Sequence, residues 1–417
     1  MGWSVSDVSL GRVLRFACFV GDHVLALHQF PLTRAAALAR LEEFVADGAA
    51  NYGARRNRVD AQGAHMAVSR LSAALRRRVI SEEEVVRAVL AEHSFNRVAP
   101  FISEVFWRTY WKGWLESRPD LWPQLQQDVE VLKTETAKDA AIGAQYRAAC
   151  AGQTGIMAFD HWARELAETG YLHNWSRMQV ASIWVFTLGL PWQLGADWMF
   201  SHLIDADPAS NTLSWRWVAG LHTAGKNYLA DSERIFAMTD GALTAEGLAT
   251  VAVPPTLPPP TPMVERRMPV SPHQDMPSLL LLTCEDMSLE KELLLNEVRG
   301  IVIPIDLIRA AADQMAMEDT ACRAAARWPG CSVERLALQD VPSLALSQRC
   351  DQVVTGFLPI GPTKDQMIGL QSALSSQNIV FAEHQRQWDI LAWPFCNKGF
   401  FHLKSKIQAL LQLHGIP

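Results

Sequence analysis

The chain has 417 residues, a formal net charge of −6, 20% charged side chains and 49% hydrophobic ones. That length buries an ample core in two domains or one large one, and the balance is globular rather than disordered. The acidic total excludes whole-molecule attraction to nucleic acid, so any phosphate binding must come from a local basic patch.

No basic stretch followed by a long apolar run opens the sequence, and Asp7 comes early, so no secretion signal is expected. Seven cysteines without a C-x-x-C pair argue for a reducing, cytoplasmic compartment and against zinc, iron–sulfur or other metal sites. Residues 33–46 and 81–91 space their apolar side chains three and four apart, which predicts helices. The second begins SEEEV, where Ser81 caps and Glu84 reaches back. Eleven of the fifteen tryptophans fall between Trp107 and Trp217, more than packing alone asks of one region. Residues 178–196 carry no charge, close to the ~20 positions that cross a bilayer. Gly189, Pro191 and Gly195 interrupt the run, so two buried helical pieces joined by a turn are expected instead. The stretch LIDADPASNTLSWRW, residues 203–217, then combines Asp205, Asp207 and Asn211 with Trp215 and Trp217. A solvated loop accounts for the acids and an apolar core for the indoles; a buried polar site accounts for both.

Residues 251–277 are studded with prolines and read as a linker between a helical part, 1–250, and a second domain, 278–417. Beyond it, short apolar runs at 278–284, 300–305, 333–338, 352–357 and 378–382 alternate with helical stretches at 307–327 and 363–376. This alternation predicts a parallel, Rossmann-like sheet.

Four blocks in the helical part carry a family likeness: VSRLSAALRRRVISEEEV, FISEVFWRTYW, TGIMAFDHWARELAETGYLHNWSRM and HLIDADPASNTLSWRW. In this order and spacing, residues 30–235 or so resemble the flavin-binding domain of the DNA photolyase and cryptochrome family. The resemblance implies an all-helical domain holding FAD in a bent form. Within it, Ser69, Arg70 and Ser72 would meet the pyrophosphate beside Tyr52, and Arg177 with Asp205 would bracket the flavin ring. Asp207 would accept from the ring's polar edge, Asn211 would face its N5, and Phe101 and Arg108 would complete the cofactor set.

The resemblance also implies a substrate. Glu104 and Asn174 would hydrogen-bond the bases of a cyclobutane pyrimidine dimer, with Trp107, Trp217 and Met178 walling its cavity. Trp215 and Trp192 match two steps of an electron relay; Asp139 stands where the outer tryptophan is usual, so either photoreduction is weakened or Tyr146, Trp184 or Trp198 takes over. Phe101 and Tyr171 replace tryptophans, and Trp175 replaces a basic residue. Arg55, Arg56, Arg58, Arg76, Arg77 and Arg78 form the expected basic patch for ultraviolet-damaged DNA, bound by a monomer. The α/β part resembles the family's antenna domain, LLLLTCEDMSLEKELLL its first strand and DILAWPFCNKGFFHLKSKI its end. Its place after the flavin domain implies either circular permutation, with the sheet's crevice then the place for a second antenna chromophore of unknown identity or for none, or an unrelated Rossmann-like domain fused there. The resemblance thus implies light-driven repair of DNA; a cryptochrome-like receptor without repair, or a flavin-free scaffold, are the competing readings.

Overall fold

Ser81 accepts from the Glu84 backbone while the Glu84 carboxylate accepts from the Ser81 N–H, a reciprocal cap that starts helix Glu82–Glu92. The computed structural model describes residues 30–223, 226–256 and 261–417, so the reading of the N-terminus lies outside it. The other early helix runs Arg34–Asp47, and both early helices pack on the 22-residue helix Phe95–Glu116 or on each other. Val98, Ile102, Val105, Phe106 and Thr109 bury one side of that long helix, and Gly113, four residues on from Thr109 and on the same side, lets Trp393 approach. A Cβ at Gly113 would lie 2.5 Å from the Trp393 ring. Residues 178–196 divide as expected: helix Asn174–Ser182 continues into a wider turn, Ile183–Thr187, and then breaks. Gly189 takes a left-handed φ of 64° and Pro191 precedes helix Trp192–His202. Among the described residues, no helix is long and apolar enough to cross a membrane.

The second half contains a five-stranded parallel sheet in the order β3-β2-β1-β4-β5. Its strands are β1 Ser278–Leu281, β2 Val298–Pro304, β3 Ser332–Leu336, β4 Gln352–Gly356 and β5 Val380–His384. Leu280 of the central, fully buried β1 pairs with Ile301 on one side and Val354 on the other. Such burial on both faces is why these strands read as unbroken apolar runs rather than alternating ones. Strand β5 starts two residues later than expected because Asn378 sits in a left-handed turn, φ 57°, after helix Pro362–Ser376.

One expectation gains detail and another needs correction. The described part of the proline-rich segment is extended but anchored: Val264 N–H donates to Ser117 O, and the Arg267 guanidinium grips both oxygens of Glu383 at 2.7 Å. It is a strap across both halves. More consequential, Arg76, Arg77 and Arg78 are buried and take no part in a phosphate-facing patch. Arg76 forks onto Glu285 at 2.8 and 2.9 Å, Arg77 reaches Asp313 at 2.7 Å, and Arg78 grips Asp389 at 2.7 and 2.9 Å. Guanidiniums taken from water must be paired, and here the acids of the α/β half do it. Arg386 and Asp286 add a further fork at 2.6 and 2.8 Å to the same seam.

Candidate functional site

Helix Phe95–Glu116 places Glu104, Arg108 and Lys112 four residues apart, hence on one face. Helix Pro208–Val218 faces it, started by Asp207, whose carboxylate accepts from Ser210 N–H at 2.7 Å. Between them lies a cavity of about 430 Å³, within the range of small-molecule sites. Tyr52, Arg56, Trp111, Asn174, Arg177, Met178, Asn211, Trp215, Trp217, Tyr228 and Arg234 contribute to its walls together with Glu104, Trp107, Arg108, Asp205 and Asp207.

The deep end is charged. Arg177 donates to Asp205 at 2.9 Å; burial raises the Asp205 carboxyl, yet the adjacent guanidinium outweighs it and holds it below the usual range. The second Asp207 oxygen is ringed by Lys112 and Arg76 at 3.8 Å and Arg108 at 3.9 Å. Burial again raises this acid, but the three cations bring it to about 2. Burial also lowers the fully enclosed Lys112 ammonium, with Asp207 opposing. Asn211 donates one amide N–H to Ala196 O at 2.9 Å, which leaves its oxygen as an acceptor and its second N–H as a donor. At the mouth Glu104 pairs with Arg56 at 2.6 Å, and burial raises its carboxyl despite Arg56 and Lys404.

Not every expected residue lies on this cavity. Phe101 stands behind Tyr52, edge-on at 5.3 Å, and supports that ring rather than bordering the space. Trp192 lies beyond the Pro208–Val218 helix beside Arg216; the ring touching Trp215 is Trp184, at 6.1 Å. Gly195 makes room for that pair, since a Cβ there would meet Trp215 at 2.4 Å. Trp184 in turn stacks on Trp198 at 5.6 Å and meets Tyr146 at 5.9 Å. Ser69, Arg70 and Ser72 lie outside the cavity wall, at the five-residue helix Ser72–Arg76. Arg56 of the expected basic patch is engaged by Glu104, and Arg58 by Asp240 at 3.4 Å. Sequence reasoning missed Lys112 and the role of Arg76. The spacing of four from Glu104 through Arg108 was a legible signal for Lys112.

A fit to a dinucleotide rests on unmet bonds. Among the described residues of the cavity wall, Arg108 Nη1, Asp205 Oδ1 and Asp207 Oδ2 are buried without a hydrogen-bond partner, and Arg70 Nε, Ser72 Oγ and Lys112 Nζ are likewise unmet outside it. Each such group is costly, and on the wall itself Arg108 offers a cation and Asp205 and Asp207 offer acceptors for ring N–H groups.

Residues 101–244 match the family model of the FAD-binding domain of DNA photolyase. The likeness to the DNA photolyase and cryptochrome family thus lies in the helical half. The chain is 30% identical to the deoxyribodipyrimidine photo-lyase of Escherichia coli over 203 residues, 48% of this chain and 42% of that one. It is 43% identical to a cryptochrome DASH of Gloeobacter violaceus over 77 residues, 18% of this chain and 15% of that one. A class III photolyase structure from Agrobacterium tumefaciens aligns at 28% identity over 50% of this chain and 43% of its own, with a TM-score of 0.42. The match thus spans about two fifths of the length of the photolyases concerned.

Two histidines in this photolyase-type domain set a pH response. Burial pushes His173 down to about 3 and His222 down to about 4, each helped by neighbouring positive charge. Both stay neutral in the fold but protonate near pH 6.5 when unfolded. Stability is therefore whole above that pH and falls as pH drops toward 4, by at most about 1.4 kcal/mol per unit for each histidine. Urea midpoints at pH 7 and pH 5 read this directly; equal midpoints would contradict it.

Proposed function

We propose that the chain binds FAD in the cavity and repairs cyclobutane pyrimidine dimers in DNA under blue light. When bound, FAD would supply light absorption and electron transfer. Arg177, Asp205, Asp207, Arg108 and Asn211 line the cavity and would hold its ring system. Trp107, Trp217 and Met178 form apolar walls suited to a flipped, poorly stacked lesion. Glu104 and Asn174 stand on the cavity wall to hydrogen-bond its bases. The observation that carries this reading is one cavity with a charged, bond-deficient floor and an aromatic mouth. Trp215, Trp184 and then Trp198 or Tyr146 form the aromatic path that fits a relay, in place of Trp192. The α/β half, following the flavin-type domain and locked to it through Arg76, fits a permuted arrangement; its crevice is the place for an antenna chromophore.

One observation favours a receptor without repair: the Arg56 ion pair already engages Glu104, so a lesion must displace it. The deciding experiment illuminates the purified protein under reducing conditions with a dimer-containing oligonucleotide and follows lesion loss. Light-dependent loss bears out repair. A coloured protein that leaves the lesion intact assigns the receptor role instead.

A further inference from the structure

Beyond Asp389 the sequence runs from 390 to 417 without an aspartate or glutamate, yet holds Lys398, Lys404 and Lys406 in a protein of net charge −6. This acid-free stretch is not remote from the cavity. Phe400 stacks on Trp107, a wall of the mouth, with ring centroids 3.8 Å apart and planes within 13°. Tyr110 donates to Lys398 O at 2.8 Å and Arg118 to Asn397 O at 3.3 Å, which pins the loop against helix Phe95–Glu116. The chain therefore turns one aromatic inward, Phe400, and the next outward: Phe401 is 78% exposed. All three lysines are exposed, and Lys404 lies close enough to Glu104 for its charge to oppose that carboxyl's protonation.

We propose that Lys398, Phe401, Lys404 and Lys406 form a second nucleic-acid contact surface at the cavity mouth, supplied by the α/β half of the chain. The proposal rests on the repair reading and names where the strand beside the lesion runs. Three cations suit consecutive phosphates, and an exposed ring with the Lys404 ammonium 5.8 Å from its centroid suits an unpaired base beside its phosphate, since every base offers a flat face. The pattern is wrong for a lipid surface, which calls for a broad apolar face behind its cations. It also explains how an acidic protein attracts a polyanion: the purely basic stretch sits where the strand arrives.

The test uses the full chain and a fluorescent single-stranded oligonucleotide carrying one dimer, with anisotropy read over a range of salt. The triple variant Lys398→Gln, Lys404→Gln, Lys406→Gln should flatten the log–log salt slope by about 2, at roughly 0.7 per lost contact. Phe401→Ala should weaken binding about 5- to 100-fold with little change in that slope. These side chains are exposed, so unaltered thermal unfolding of both variants serves as the folding control. If the unsubstituted protein binds and repairs while both variants bind equally well and with the same slope, this surface is wrong and the repair reading stands. If the unsubstituted protein binds no oligonucleotide, both fall. Polyglutamate displacing the oligonucleotide at equal charge concentration would also overturn the surface, because it carries charge without bases.

Discussion

Asp207→Ala should cost about 3–5 kcal/mol of stability, several times the ~1 kcal/mol that losing a helix cap explains. The excess follows from what Asp207 leaves behind. Lys112, Arg76 and Arg108 converge on one of its oxygens at 3.8 to 3.9 Å, and Arg76 and Lys112 are both buried. Without the acid, buried positive charge loses its counter-charge, although Glu285 still holds Arg76. The acid's own displacement, from 3.8 to about 2, independently corresponds to about 2 kcal/mol. Because that value is depressed, the contribution is present above the unfolded value near 4 and is lost as pH falls through 2. Asp207→Asn keeps a cap acceptor but not the charge and should recover only about 1 kcal/mol of the loss, so the pair of variants separates cap from charge. Urea denaturation at pH 7 measures both; a loss no larger than the cap alone would show that the three cations do not depend on Asp207.

Glu104→Ala should slow dimer repair by about 10²-fold or more, the scale of removing one preorganised donor or acceptor, while leaving bound-flavin absorbance intact. The structure separates these outcomes because Glu104 lies at the mouth, paired with Arg56, whereas Arg177 and Asp205 lie at the deep end. Removing Glu104 also releases Arg56, which is 39% exposed in its side chain and is rehydrated without penalty to the fold. Repair at constant photon flux, compared with the visible spectrum of the same sample, is the readout. An unchanged rate would remove Glu104 from the reaction; a lost spectrum would place it in the cofactor site.

The helical and sheet halves were legible because their signals are local. A reciprocal cap at Ser81 and Glu84, and fully buried strands such as Ser278–Leu281, are written within a few residues. The cavity was legible in part, since Arg177 and Asp205 are 28 positions apart and only the block resemblance joins them. The three arginines at 76–78 were not. Their partners lie 209, 236 and 311 residues away, and a basic triplet followed by acids reads locally as a solvated surface. Trp192 illustrates a second limit: matching a position does not fix which rings touch, and the bare backbone of Gly195 is what brings Trp184 onto Trp215.

The most direct measurement is of the bound cofactor itself. The protein is purified, its visible spectrum recorded, and the material released on denaturation identified by mass and quantified against protein. About one FAD per chain is expected, retained by the unsubstituted protein and lost from Asp205→Ala. A colourless protein that takes up no FAD when mixed with it, or one whose Asp205→Ala variant keeps a full complement, would contradict the assignment of this cavity to the flavin.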